Sequence, residues 1–278
     1  MANEADKPAA KPELKIYFLP NLLTAGNLFC GFLALTKIVE ANVGEPSYNH
    51  TIGLAIFFIL LACIFDLFDG RVARMGGVES PFGREFDSLA DVVSFGVAPA
   101  FLVHRIVLRD LNPPELGWFI SSVYLICGAL RLARFNCLSA MGISSGKEFK
   151  GFPIPAAAGM VASLTMFLLW CDEKAFTTSN AWRFVLPAIM IFLSIMMVSE
   201  VKYPSFKSVD FRSKRRFPTM VAMVVFIGLI IVAWKSVLPW LLPLGFTAYL
   251  IYGFVRPSIS REMRREIEEE EEDETPVM

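Results

Sequence analysis

Eight stretches of this chain are apolar enough to lie in a lipid bilayer. They run approximately Leu19–Ile38, Ile52–Phe68, Leu89–Val107, Trp118–Leu132, Ile154–Trp170, Phe184–Ser199, Thr219–Trp234 and Val237–Phe254. A backbone crossing hydrocarbon has no water to bond with, so each stretch must satisfy its own hydrogen bonds as a helix. A soluble domain of 278 residues would not carry 55% hydrophobic residues and a mean hydropathy of +0.52. The expected fold is therefore all-α: a polytopic membrane bundle of about eight transmembrane helices. Residues 1–18 read as a short polar N-terminal segment, 19–255 as the membrane domain and 256–278 as a charged tail without a fold of its own. No cleavable leader is expected, because the polar start is followed by a run long enough to span.

The basic residues orient the bundle. Assigned to alternate loops, 20 of the 26 Lys and Arg fall on one side and 6 on the other. The positive-inside rule puts the richer side in the cytoplasm, with both termini, and an even number of spans follows. The five cysteines form no CxxC pair and read as small buried hydrophobes rather than a disulfide or zinc framework. Nothing in the chain calls for a nucleic-acid partner.

The stretch "FDLFDGRVARMGGVESPFGREFDSLADVVSFG" (Phe65–Gly96) is the anomaly. Asp66 and Asp69 are three apart at the end of one apolar run, and Asp87 and Asp91 are four apart at the start of the next. Such spacings put each pair on one helix face. A turn through Gly76-Gly77 and Ser80-Pro81 would bring the two pairs together. An acid deep in a membrane costs about 2.5–3.5 kcal/mol on insertion scales, and four repel one another. Hard divalent cations such as Mg²⁺, Mn²⁺ or Ca²⁺ answer both problems, and the absence of His and Cys from the stretch argues against zinc. Two cations between two helices are a recurring device for displacement at phosphorus. Gly70, Ala73 and Gly83 leave open surface beside the acids, where a base or pyrophosphate can approach. Arg74 stands one turn beyond Gly70, within reach of phosphate oxygens.

The pattern D66-x2-D69-G70-x2-A73-R74-x8-G83-x3-D87-x3-D91 resembles, at every fixed position, the signature of the CDP-alcohol phosphatidyltransferases. The blocks "PNLLTAGNLFCGFLAL", "DSLADVVSFGVAPA", "RLARFN" and "GFPIPAAAG" are similar to the membrane-embedded bacterial phosphatidylserine synthases of that family. The resemblance implies a bacterial inner-membrane enzyme, multi-pass, with its active site facing the cytoplasm. It implies two divalent cations, Mg or Mn with Ca as a structural substitute, held by Asp66, Asp69, Asp87 and Asp91. The CDP moiety would lie over Gly70, Ala73 and Arg74, near Gly83 and flanked by Asp69 and Asp87, with Asp91 as general base. The implied substrates are CDP-diacylglycerol and L-serine among membrane lipids, and the implied assembly is a homodimer.

Within that expectation, Arg131 and Arg134 are candidates for the serine carboxylate or a lipid phosphate. Asn27, Ser94 and Asn136 are candidate pocket residues. Two other readings compete: the same chemistry on glycerol 3-phosphate or an inositol phosphate, and a divalent-cation transporter, since intramembrane acids also mark ion pathways. A transporter site usually lies near the midplane between related halves. Here the acids gather at one interface, and no internal repeat is visible.

Overall fold

A computed structural model describes residues 18–76, 80–141, 148–174, 182–204 and 237–253. Helix α1 (Phe18–Glu40) leads to α2 (Tyr48–Gly76) and α3 (Pro81–Asp91). A single π-helical turn, Val92–Val97, joins α3 to α4 (Ala98–Ile106), and α5 (Pro114–Ala140) follows. Strand β1 (Glu148–Lys150), α6 (Ile154–Glu173), α7 (Trp182–Val198), β2 (Lys202–Pro204) and α8 (Leu238–Gly253) complete the order. Five spans are long and apolar enough to cross a membrane: α1, α2, the continuous α3–α4 rod, α5 and α6. The apolar helices α7 and α8 are shorter, and the expected span Thr219–Trp234 lies outside the described residues. So do the N-terminal segment up to Tyr17 and the charged tail.

Hydropathy located the helices but not their ends. The second apolar run stops at Phe68, whereas α2 continues to Gly76. The third begins at Leu89, whereas α3 begins at Pro81. The helical hydrogen-bond ladder does not stop where an apolar run stops, so both helices extend beyond it. All four aspartates are therefore inside regular helix. Ser80-Pro81, expected as part of a turn, is a helix start. Ser80 Oγ accepts the Gly83 N–H at 3.0 Å, and Pro81 takes the first-turn place where its missing N–H costs nothing.

Packing follows membrane rules. Large apolar side chains such as Phe29 and Phe32 on α1 and Trp118, Phe119 and Ile126 on α5 are exposed, as a lipid-facing surface requires. Inside, Ile52, Ile56, Phe95, Leu102, Tyr124 and Phe152 are fully buried. Small residues let helices close up. A Cβ at Gly31 would lie 2.8 Å from Ser94 Cα, and one at Gly128 would lie 2.6 Å from Ile154 Cδ1. Gly159 leaves room for the Phe246 ring of α8. All five cysteines are free: Cys30 and Cys171 are buried and Cys63 and Cys127 half-buried, while Cys137, read from the sequence as buried, is exposed.

One feature was not expected from the sequence. β1 and β2 pair antiparallel and tie the approach to α6 to the exit of α7. Gly151 follows β1 with φ +83°, and its N–H donates to Val201 O at 2.9 Å. Phe152 then turns inward, its N–H bonded to Met196 O at 3.0 Å. Gly151→Ala would put a Cβ in the left-handed region and against the Met197 carbonyl. The expected loss is about 1–3 kcal/mol, read as a lower thermal midpoint in detergent.

Candidate active site

α1, α3 and α6 begin, and α2 and α5 end, around one cavity of about 1030 Å³. Asp66 and Asp69 reach it from α2 and Asp87 and Asp91 from α3, as their three- and four-residue spacings require. One carboxylate oxygen from each of Asp66, Asp69 and Asp87 lies within 4.8 Å of the others. Asp69 is 4% exposed, and its Oδ2 accepts a hydrogen bond from Thr24 Oγ1 at 3.0 Å. Asp87 Oδ1 is buried with no hydrogen-bond partner among the described residues. An orphaned carboxylate oxygen beside two further carboxylates is a set of hard donors that could hold a metal ion.

Asp91 stands apart from that three-acid group. It is 5% exposed, lines the cavity, and accepts a hydrogen bond on Oδ1 from Asn27 Nδ2 at 3.0 Å. Asn27 and Ser94, expected in the pocket, line no part of it. Both are 0% exposed between α1 and the π turn, where Ser94 Oγ donates to Asn27 O at 2.9 Å. In a membrane bundle a polar side chain is as readily spent on a neighbouring helix as on a ligand.

The two arginines of "RLARFN" separate. Arg131 lines the cavity, and its Nε is buried without a hydrogen-bond partner among the described residues. Arg134, one turn on, is turned toward the end of α7. It donates to Val198 O and to Glu200 Oε1, each at 3.3 Å. Asn136 lines the cavity and donates to Ser88 Oγ at 2.9 Å. Gly70 and Gly83 are on the wall. At Gly83 a Cβ would come within 3.2 Å of Ser80 Oγ and 3.3 Å of Asn21 Oδ1. The side chains of Ala73 and Arg74 lie outside the described residues.

Several wall residues escaped the sequence reading. Thr24 had a signal, being three residues before Asn27 and so on the same face of α1. Arg71 and Arg84 also line the cavity, although from the sequence they served only as orienting charges. The opposite wall is apolar, with Leu241, Leu244 and Phe246 of α8 and Pro153 and Ala156 at the start of α6. Tyr249 joins that wall and packs its ring 5.8 Å from Phe152. The cavity lining is thus amphiphilic, combining acids and arginines with hydrocarbon. Such a space suits a molecule with a charged phosphate end and an apolar end.

The family model for the CDP-alcohol phosphatidyltransferase matches residues 17–196. A CDP-diacylglycerol–serine O-phosphatidyltransferase of Helicobacter pylori is 35% identical over 241 residues, covering 87% of this chain and 91% of its own length. The enzyme of that name from Bacillus subtilis is 36% identical over 190 residues, 68% of this chain and 92% of its own. An archaetidylserine synthase of Methanothermobacter thermautotrophicus is 34% identical over 188 residues, 67% and 69% respectively.

If Asp87 completes a cation site, Asp87→Asn weakens Mn²⁺ binding by about 10-fold or more without unfolding the protein. Electron paramagnetic resonance titration of free Mn²⁺ measures this directly. Unchanged affinity would place the ion elsewhere.

Proposed function

The chain belongs to the CDP-alcohol phosphatidyltransferase family, and from that membership we propose that it transfers the phosphatidyl group of CDP-diacylglycerol to the hydroxyl of L-serine, giving phosphatidylserine and CMP. The observation that carries the reading is the cavity, with clustered carboxylates and Arg131 facing an apolar wall at one end of a membrane bundle. A nucleotide-activated phospholipid has that same division. Its acyl chains stay in the bilayer, so its pyrophosphate is held near the headgroup level, and a water-soluble acceptor must meet it there.

In this reading the serine oxygen attacks the phosphorus that bears the diacylglycerol group. The P–O bond to CMP breaks, and the hydroxyl proton passes to Asp91 as the new bond forms. Asp91 later returns the proton to water, and no covalent enzyme intermediate is needed. Two divalent cations, Mg²⁺ or Mn²⁺, held by Asp66, Asp69 and Asp87 with Asp91 contributing, supply charge neutralisation at the pyrophosphate. The CDP moiety lies over Gly70, Ala73, Arg74 and Gly83, between Asp69 and Asp87. Arg71 and Arg84 add positive charge on the same wall. Arg131 takes the serine carboxylate, because Arg134 is already engaged by Val198 O and Glu200. A guanidinium with a buried N–H left unbonded is a ready partner for a carboxylate. Asn136 is a further pocket contact.

The bias of Lys and Arg supports a cytoplasmic position for the cavity, in a bacterial inner membrane. The proposed assembly is a homodimer, and the proposed division has one membrane domain, 19–255, flanked by polar ends.

The assay uses protein purified in detergent with CDP-diacylglycerol, Mn²⁺ or Mg²⁺ and one acceptor at a time. CMP release is expected with serine, and Asp91→Asn is expected to lower it by at least about 100-fold. Release with glycerol 3-phosphate but not serine would make this a sister transferase. Cation flux in liposomes with no release under any condition would make it a transporter. In the same assay Arg131→Gln raises the KM for serine by about 10- to 100-fold, the loss expected when a charged hydrogen-bond pair goes. Arg134→Gln leaves that KM within about two-fold.

A further inference from the structure

α1 meets the acids with two donors, one helical turn apart. Thr24 Oγ1 donates to Asp69, and Asn27 Nδ2 donates to Asp91 Oδ1, each at 3.0 Å. Asn27 is 0% exposed and is not among the residues that line the cavity. What it reaches is Asp91. An ionised carboxylate only accepts hydrogen bonds, so the amide must present its nitrogen and turn its oxygen away. Asn27 Oδ1 is indeed buried with no partner among the described residues. That orphan is a standing cost. A leucine of the same branched shape would carry no such orphan, so packing alone does not account for an amide here.

The contact is held from behind. Ser94 Oγ donates to Asn27 O at 2.9 Å. Ser94 belongs to the π turn that begins one residue after Asp91, and Gly31 lets that turn come close to α1. The π turn and α1 are thereby fixed to each other next to the Asn27–Asp91 bond. A carboxylate otherwise rotates broadly about its last torsion. With Oδ1 tied to a fixed amide, the other oxygen is left for the cavity that Asp91 lines.

We propose that Asn27 is a positioning residue for Asp91: its amide fixes the rotation of the carboxylate so that one defined oxygen faces the acceptor hydroxyl. The inference rests on the reading of Asp91 as proton acceptor. It moves Asn27 from the serine pocket to the support of the reacting carboxylate.

The test compares Asn27→Leu, which keeps the branched shape and removes the donor, with the parent enzyme and with Asp91→Asn. Asn27→Leu is expected to lower kcat by about 10- to 100-fold, the usual loss when an outer orienting partner goes. The KM values for serine and CDP-diacylglycerol stay within about two-fold, as when an interaction matters only in the transition state. Parent-like kcat in Asn27→Leu would overturn the proposal in favour of packing. A raised serine KM at unchanged kcat would overturn it in favour of a serine contact. If the leucine variant does not fold, Asn27→Ala is judged on the same two parameters. Parent-like turnover in Asp91→Asn would instead remove the proton-acceptor reading itself. An inactive Asp91→Asn beside a fully active Asn27→Leu would remove only the positioning role.

Discussion

Carboxylates held together at the end of an apolar bundle repel one another, and each has left water to be there. Unless something answers that charge, the helices carrying them separate. The structure answers it unevenly. Asp69 and Asp91 each receive a side-chain donor from α1, while Asp87 keeps a buried oxygen with no partner among the described residues. The donated bonds require α1 to lie close against α2 and against the π turn. Close approach in turn requires small residues, Gly31 above all. The tight crossing, the π turn after Asp91 and the three-acid group are therefore parts of one arrangement, and the uncompensated charge is what a cation would take up.

The cavity has its two-sided character because of where helices end. α2, α3 and α5 bring Asp66, Asp69, Asp87, Asp91 and Arg131 to one cavity where these helices begin or end. α8 crosses the other flank with its apolar face, and its Trp240 packs against Phe167 and Trp170 while Tyr249 packs against Phe152. A substrate that is half lipid needs no extraction into water to enter such a space. An acceptor that is fully polar needs no entry into hydrocarbon. The reaction is confined to the layer where both can be present.

The acid pairs were legible because helix periodicity is a local property, and residues three or four apart share a face whatever else the chain does. The arginines of the fourth span were not separable in that way. Arg131 and Arg134 have the same chemistry and the same local spacing, yet one faces the cavity and the other pairs with Glu200. That choice depends on the end of α7, where Val198 and Glu200 lie 64 and 66 residues further along the chain. Asn27 and Ser94 were recognised as polar residues in an apolar setting, and the bonds they make run between helices, from Asn27 to Asp91 and from Ser94 to Asn27 O. The sequence holds no sign of whether an amide will meet a ligand or a second helix. The β1–β2 ribbon was invisible for a related reason: three-residue strands carry too little pattern to register.

Hydropathy and spacing by themselves determined that this chain forms a helical membrane bundle and that four acids meet at one end of it; the transferase family entered through the resemblance of the acid pattern to a known signature. These are consequences of one-dimensional patterns, since lipid forces helices and helices force faces. Only the tertiary structure decided that Asp91 stands outside the three-acid group, bonded to Asn27, and that Arg131 rather than Arg134 lines the cavity. It also decided that α8 closes the space with hydrocarbon. Those outcomes depend on how closely helices cross. The distance of a crossing is settled by small residues and buried bonds from segments far apart in the chain.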